Sequence, residues 1–335
     1  MADCCVPKAA IPAPISFESV QSVVFGILLA MNACIVGFLL QSAAFVTLFA
    51  PAGAHTAEPV RMHVNGANLS YIEQGSGAPV IFLHGGMGDY SSWQPQLEPF
   101  ARRFRVIAYS RRYSFPNENP PAPRTYSPWT DVEDLAELIR RLGLHNVRLV
   151  GQSAGAFVAL AFALKHPSMV HSLALSEPPA HQLVRNTPEG EAAYQDFVTT
   201  VMIPAANYFR QNDMQHAMKI FVNGMAATNR FDGLSPEARA DAMRNARSIE
   251  ALCLSSDPFP VLSRAELSRL RVPTLVVTGE NTIRIHKLVN EELVRLLPNV
   301  KSVTIPGAGH GSPRENASAF NEAVLGFFLA DTKAN

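Results

Sequence analysis

The chain has no excess of charge of either sign: 28 lysine and arginine residues balance 28 aspartate and glutamate residues over 335 positions. Without a basic field to meet phosphates, the composition argues against a nucleic-acid partner, and no acidic tail is present. Cysteine is scarce as well. Of the four, Cys4 and Cys5 stand at the start of the chain, Cys34 lies in an apolar segment, and Cys253 alone belongs to the globular part. That spacing offers neither a disulfide framework nor a zinc site.

Charge is missing altogether between Glu18 and Glu58. As a helix, residues 23–50 would reach about 42 Å at roughly 1.5 Å per residue, more than a bilayer needs. Residues 1–58 are therefore expected to be an N-terminal export segment and linker. One reading is a membrane anchor through residues 23–50. The other is a signal peptide cut after Ala52-Gly53-Ala54, just before His55. Either reading makes the protein exported or membrane-anchored rather than cytoplasmic, and a buried hydrophobic hairpin is the bland alternative.

Beyond Pro59 the chain alternates short apolar strands with helices, the pattern of a mostly parallel sheet covered on both faces. Residues 60–64 and 69–73 flank Asn65-Gly66 and read as a hairpin. Strands follow at 80–83, 105–109, 147–150, 173–175, 274–277 and 300–305. Helices are expected at 91–102, 127–142, 156–165, 286–297 and 314–329. Between Pro178 and Pro273 the alternation stops, and aromatic and methionine residues such as Phe197, Met202, Phe209, Met218, Phe221 and Met225 recur in helical context. The expected division is a core of residues 59–177 and 273–335 with a helical lid, 178–272, inserted after the sixth strand. Most of those large side chains should pack the lid, and a few should line a site.

The pentapeptide Gly151-Gln152-Ser153-Ala154-Gly155 puts a serine on a strand-to-helix turn. Glycine two residues before and after removes the Cβ atoms that such a sharp turn would crowd. By itself the pentapeptide is a weak signal, since small-residue turns are common. A serine nucleophile also needs a base, a group that orients the base, and donors for an oxyanion. His310, in Gly309-His310-Gly311 after the last strand, is the candidate base. The backbone N–H groups of Ala154 and Gly86, with Met87 as the alternative, are the candidate oxyanion donors. His84 is read as structural.

Ser153, the His84-Gly85-Gly86 turn and the late His310, in that chain order and each after a strand, resemble the α/β-hydrolase fold superfamily over about residues 60–330. The resemblance implies an eight-stranded, mostly parallel sheet, a Ser-acid-His triad and hydrolysis without a metal or organic cofactor. Serine at the elbow argues against the epoxide hydrolase and haloalkane dehalogenase branches, which use aspartate there. Many members carry an aspartate in a Gly-Glu-x-Asp pattern after the seventh strand, where this chain has Gly279-Glu280-Asn281-Thr282. Threonine carries no charge to support an imidazolium. Glu177, directly after the sixth strand, is the best substitute, resembling certain lactone hydrolases such as the zearalenone-hydrolysing enzymes; Glu280 is the alternative, and Asp257 a third.

After the fourth strand, Arg111 and Arg112 replace the family's more usual aspartate and glycine-rich turn. They are read as holding the loop to nearby acids, with a substrate carboxylate as the alternative. The expectation is a serine hydrolase of small hydrophobic esters or lactones. A carbon-carbon or amide bond cleaved by the same triad is a second reading. A non-catalytic binding module, favoured by Thr282, is a third.

Overall fold

The computed structural model describes residues 58–120, 125–226 and 228–331. The expected anchor or signal segment lies outside the described residues. Among those described, no helix is long and apolar enough to cross a membrane.

Eight strands form one sheet: β1 (Val60–Val64), β2 (Ala67–Gln74), β3 (Pro79–Leu83), β4 (Arg105–Tyr109), β5 (Val147–Gln152), β6 (Val170–Ser176), β7 (Thr274–Gly279) and β8 (Val300–Ile305). Their spatial order is β1-β2-β4-β3-β5-β6-β7-β8. β2 is antiparallel to β1 and β4, and every other pairing is parallel. Asn65 and Gly66 close the first hairpin at φ 44° and 74°, the left-handed pair that matches the strand twist. The helices flanking the sheet are α1 (Gln94–Ala101), α2 (Pro128–Arg141), α3 (Ala154–Lys165), α10 (Arg284–Leu296), α11 (Ser312–Glu315) and α12 (Ala317–Asp331).

Alternate residues of each strand feed two cores, because side chains on a strand point to opposite faces. Ile81, Leu83, Ile107 and Leu149 pack with α2, α3 and α10 on one face. Val80, Phe82, Val106 and Val150 pack with Phe100 of α1 and Phe320 and Phe328 of α12 on the other. Where both faces are buried, as in β3 and β4, the strand reads as a nearly unbroken apolar run in the sequence.

Several element boundaries differ from the sequence reading, and three of the differences have a visible cause. β6 is longer at both ends than residues 173–175, because the polar Ser172 and Ser176 that interrupt its apolar run are themselves fully buried. The helix expected over 91–102 opens as a 3₁₀ turn, Tyr90–Trp93, whose end is capped by the Asp89 carboxylate. The C-terminal helix is two helices, since Asn316 leaves the helical region at φ −140° and ψ 71° and its side-chain amide donates to Pro306 O.

Between β6 and β7, among described residues, the chain is helical and without a strand: α4 (Pro188–Phe197), α5 (Ile203–Arg210), α6 (Met214–Ala226), α7 (Pro236–Arg244), α8 (Ala246–Leu254) and α9 (Arg264–Leu267). Asp89 ties this segment to the core by accepting hydrogen bonds from Arg244 Nε at 3.0 Å and Asn245 Nδ2 at 2.9 Å.

α3 enters directly behind β3, and the approach leaves no room for a side chain. A Cβ on Gly155 would lie 2.1 Å from Leu83 O. Gly155→Ala should therefore lower stability by about 1–3 kcal/mol or more through overpacking, read as a shift of the urea midpoint; an unchanged midpoint would refute the close approach.

Candidate active site

Ser153 stands between β5 and α3 at φ 52° and ψ −123°, a strained conformation for a residue with a Cβ. The flanking glycines are there for a measurable reason: a Cβ on Gly151 would lie 2.5 Å from Ala156 Cα. The Ser153 N–H is fixed by the Ser176 carbonyl of the next strand at 2.8 Å. Ser153, His310 and the His84–Gly88 turn line one cavity of about 750 Å³. Among the described residues, no hydrogen bond joins the Ser153 hydroxyl to His310; such contacts commonly shorten once a ligand is bound.

Glu177 directly follows β6, is fully buried and has φ 51°. A buried carboxylate needs its lone pairs filled, and three donors fill these. Oε1 accepts from Gly279 N at 2.7 Å, and Oε2 accepts from Thr282 Oγ1 at 2.7 Å and His310 Nδ1 at 2.6 Å. With Nδ1–H turned to Glu177, the Nε2 of His310 is left as an acceptor. Thr282, at the position where an aspartate was expected, donates to the oxygen that also receives His310.

Glu280 and Asp257, the alternative acids, are not brought to His310. Glu280 is exposed and accepts from Gly307 N at 2.7 Å, while Asp257 lies near Ser127 Oγ at 3.4 Å. The loop carrying His310 is further held by Gln152, whose Nε2 donates to His310 O at 3.0 Å. The second residue of the pentapeptide thus binds serine turn to histidine loop, a role invisible in the motif.

The His84–Gly88 turn lies against the elbow, since a Cβ on Gly85 would come within 3.2 Å of Ser153 Cβ. Gly86, Met87 and Ala154 all line the cavity. None of their backbone N–H groups donates among the described loop and turn bonds. His84 is structural, as expected. Its Nε2 accepts from Arg111 N at 2.9 Å, so its Nδ1–H donates to Gly85 O at 2.7 Å. Burial, reinforced by the Arg111 charge, pushes its pKa down to about 3.

Arg111 and Arg112 do hold the loop to acids. Arg111 pairs with Asp131 at 2.7 Å, both buried, and its guanidinium also donates to His84 O at 3.2 Å and Gly85 O at 3.3 Å. Arg112 forks onto both oxygens of Asp134 at 2.9 and 2.7 Å. A buried pair of this kind costs several kcal/mol if one partner is removed, so Arg111 fixes the turn beside Ser153.

Of the large side chains in the helical segment, Phe197, Phe221 and Met225 line the cavity, together with Phe259, whereas Met202, Phe209 and Met218 are packed away from it. Two further residues had no signal in the sequence. His181 and His286 line the cavity beside His310, and His286 stacks on it. Burial, with the nearby His310 adding to it, pushes His181 down to about 3 and His286 well below its ordinary value.

These depressed values set an acid limit. The unfolded chain takes up protons at His84, His181 and His286 near pH 6.5, and the folded chain does so only at much lower pH. Stability present above pH 6.5 is therefore lost as pH falls. For His181 the loss reaches roughly 2 kcal/mol at pH 5. His181→Phe should flatten the fall in unfolding free energy between pH 7.5 and 5 by about that amount in urea titrations, and an identical slope in the variant would contradict it.

A family model described as alpha/beta hydrolase fold matches residues 78–317. BpoC of Mycobacterium tuberculosis, named as a non-heme bromoperoxidase, is 27% identical over 266 residues, covering 78% of this chain and 98% of its own. A Bacillus subtilis protein named as the carboxylesterase nap is 26% identical over 271 residues, covering 76% of this chain and 80% of its own. Among solved structures, the enol-lactonase from Burkholderia xenovorans LB400 superposes with a TM-score of 0.65 at 22% identity, covering 81% of this chain and all of that one, a likeness of fold. Matching sheet order, elbow and family model together, the chain belongs to the α/β-hydrolase fold family.

Proposed function

We propose that the protein is a serine hydrolase acting on a carboxylic ester or lactone through an acyl-enzyme. The observation that carries this reading is the 2.6 Å hydrogen bond from His310 Nδ1 to the buried Glu177 carboxylate, in the cavity that Ser153 lines. Ser153 Oγ attacks the substrate carbonyl while His310 Nε2 takes its proton. Glu177 holds the His310 ring in the tautomer this needs. The N–H groups of Gly86 and Ala154, with Met87 as the alternative for the first, receive the oxyanion. His310 returns the proton to the leaving oxygen; water, deprotonated in turn by His310, then attacks the acyl carbon, and His310 passes that proton to Ser153 Oγ as the acid is released.

The helical segment 178–272 serves as the lid. Its Phe197, Phe221, Met225 and Phe259 make apolar walls in a cavity of about 750 Å³, which supports a medium-sized hydrophobic substrate. Thr282 loses its weight for a non-catalytic module, because its hydroxyl supports Glu177.

A fluorophosphonate probe should label the wild-type protein and leave Ser153→Ala unlabelled; no labelling of folded wild-type protein would refute a serine hydrolase. Glu177→Gln should lower turnover of p-nitrophenyl esters by about 10³–10⁴-fold, and Glu280→Gln should change it little. Because Thr282 Oγ1 and His310 Nδ1 reach one oxygen, adding Thr282→Asp to Glu177→Gln should restore at least about tenfold of the loss. No recovery in a folded double variant would count against this shared geometry.

A further inference from the structure

His286, on the first turn of α10, is 1% exposed, and its ring lies face to face with that of His310 at a centroid distance of 4.2 Å and an interplanar angle of 10°. Behind it, His181 packs at 5.6 Å from His286 and against Phe259 at 4.5 Å and the edge of Phe197 at 5.0 Å. An aromatic column thus runs from the helical segment to the candidate base. All four ring nitrogens of His181 and His286 are buried, and none has a hydrogen-bond partner among the described residues. What His286 presents to His310 is its face, while His181 meets its neighbours tilted or edge to face.

A metal site is the first alternative, since Glu177, His286 and His310 bring one donor atom each within 4.8 Å of one another. The ring geometry argues against it. Imidazole lone pairs lie in the ring plane, and two nearly parallel stacked rings direct theirs side by side instead of toward one tetrahedral ion. The Glu177 oxygen nearest them already receives Thr282 and His310.

A ring face against another ring does something else. It limits rotation of the facing ring, and its negative face attracts a cation placed over it, more strongly where water is excluded. We propose that His286 is a positioning residue for the triad reading on which this rests: its imidazole face holds the His310 ring at a fixed angle and stabilises the imidazolium formed when Nε2 takes the Ser153 proton. The titratable groups facing His310 are Glu177 at the end of β6, His286 on α10 and, behind it, His181 of the turn after β6; those facing His286 are His310 and His181. Both supporting histidines are neutral where His310 works, so neither adds a repelling charge to the imidazolium.

The test follows the second-order rate of fluorophosphonate labelling across pH, which reads the ionisation of the base without a known substrate. Three proteins are compared: wild type, His286→Phe, which keeps a ring face, and His286→Leu, which removes it. The leucine variant should move the midpoint of the acid limb to lower pH by about half a pH unit or more and lower the plateau rate about tenfold. The phenylalanine variant should keep the midpoint near wild type and the plateau within about threefold. A leucine variant with wild-type midpoint and plateau overturns the proposal, as does a phenylalanine variant impaired like the leucine one while melting at the wild-type temperature. If His286→Leu does not fold, His286→Met, unbranched and ringless, takes its place with the same two outcomes. Failure of the triad reading is separate, because wild-type protein would then not be labelled at all.

Discussion

A single buried carboxylate organises the candidate site. Glu177 is fully buried, so its oxygens must be filled by donors, and the three that fill them come from two stretches of chain, the turn after β7 and the loop after β8. Gly279 brings the end of β7, Thr282 the turn into α10, and His310 the loop after β8. Satisfying one charge thereby ties the loops after β7 and β8 to the loop after β6, at the carboxyl ends of adjacent strands, where an open α/β sheet gathers its functional groups. The fit is tight around it: a Cβ on Gly279 would stand 2.2 Å from Gly309 O, so the β7 end and the histidine loop touch through backbone.

A second buried charge does the equivalent on the other side of Ser153. Arg111 neutralises Asp131 and also donates to the carbonyls of His84 and Gly85 and to Ser248 Oγ, while Tyr126 OH donates to Asp131 at 2.8 Å. That turn is therefore held by its carbonyl side, and the N–H groups of Gly86 and Met87 donate in none of the described loop and turn bonds. Gln152 joins the two halves across the serine by reaching the His310 carbonyl.

Much of this was legible in the sequence, and the reasons are physical. Strands buried on both faces must be apolar throughout, and a serine elbow must carry glycine where Cβ atoms would meet Ala156 and Leu83. With threonine at position 282, Glu177 is the acid the sequence offers after an adjacent strand, because a triad needs one negative charge. What stayed hidden were partnerships with no local pattern. That Thr282 would donate to Glu177, or Gln152 to His310, depends on where β7 and β8 come to lie beside β5 and β6. The histidine column was equally silent, since His181 and His286 belong to distant turns that meet His310 only in the fold. Boundaries failed where a polar residue inside an element, such as Ser172 in β6, is buried by its neighbours.

Glu177 is the acceptor for the His310 Nδ1 hydrogen bond. Proton NMR in water tests it directly, because a histidine N–H bonded to a carboxylate in a water-excluded site resonates downfield of the amide envelope. The wild-type protein and Glu280→Gln are expected to show that resonance, and Glu177→Gln is expected to lose it. Survival of the resonance in folded Glu177→Gln, with loss in Glu280→Gln, would contradict the account.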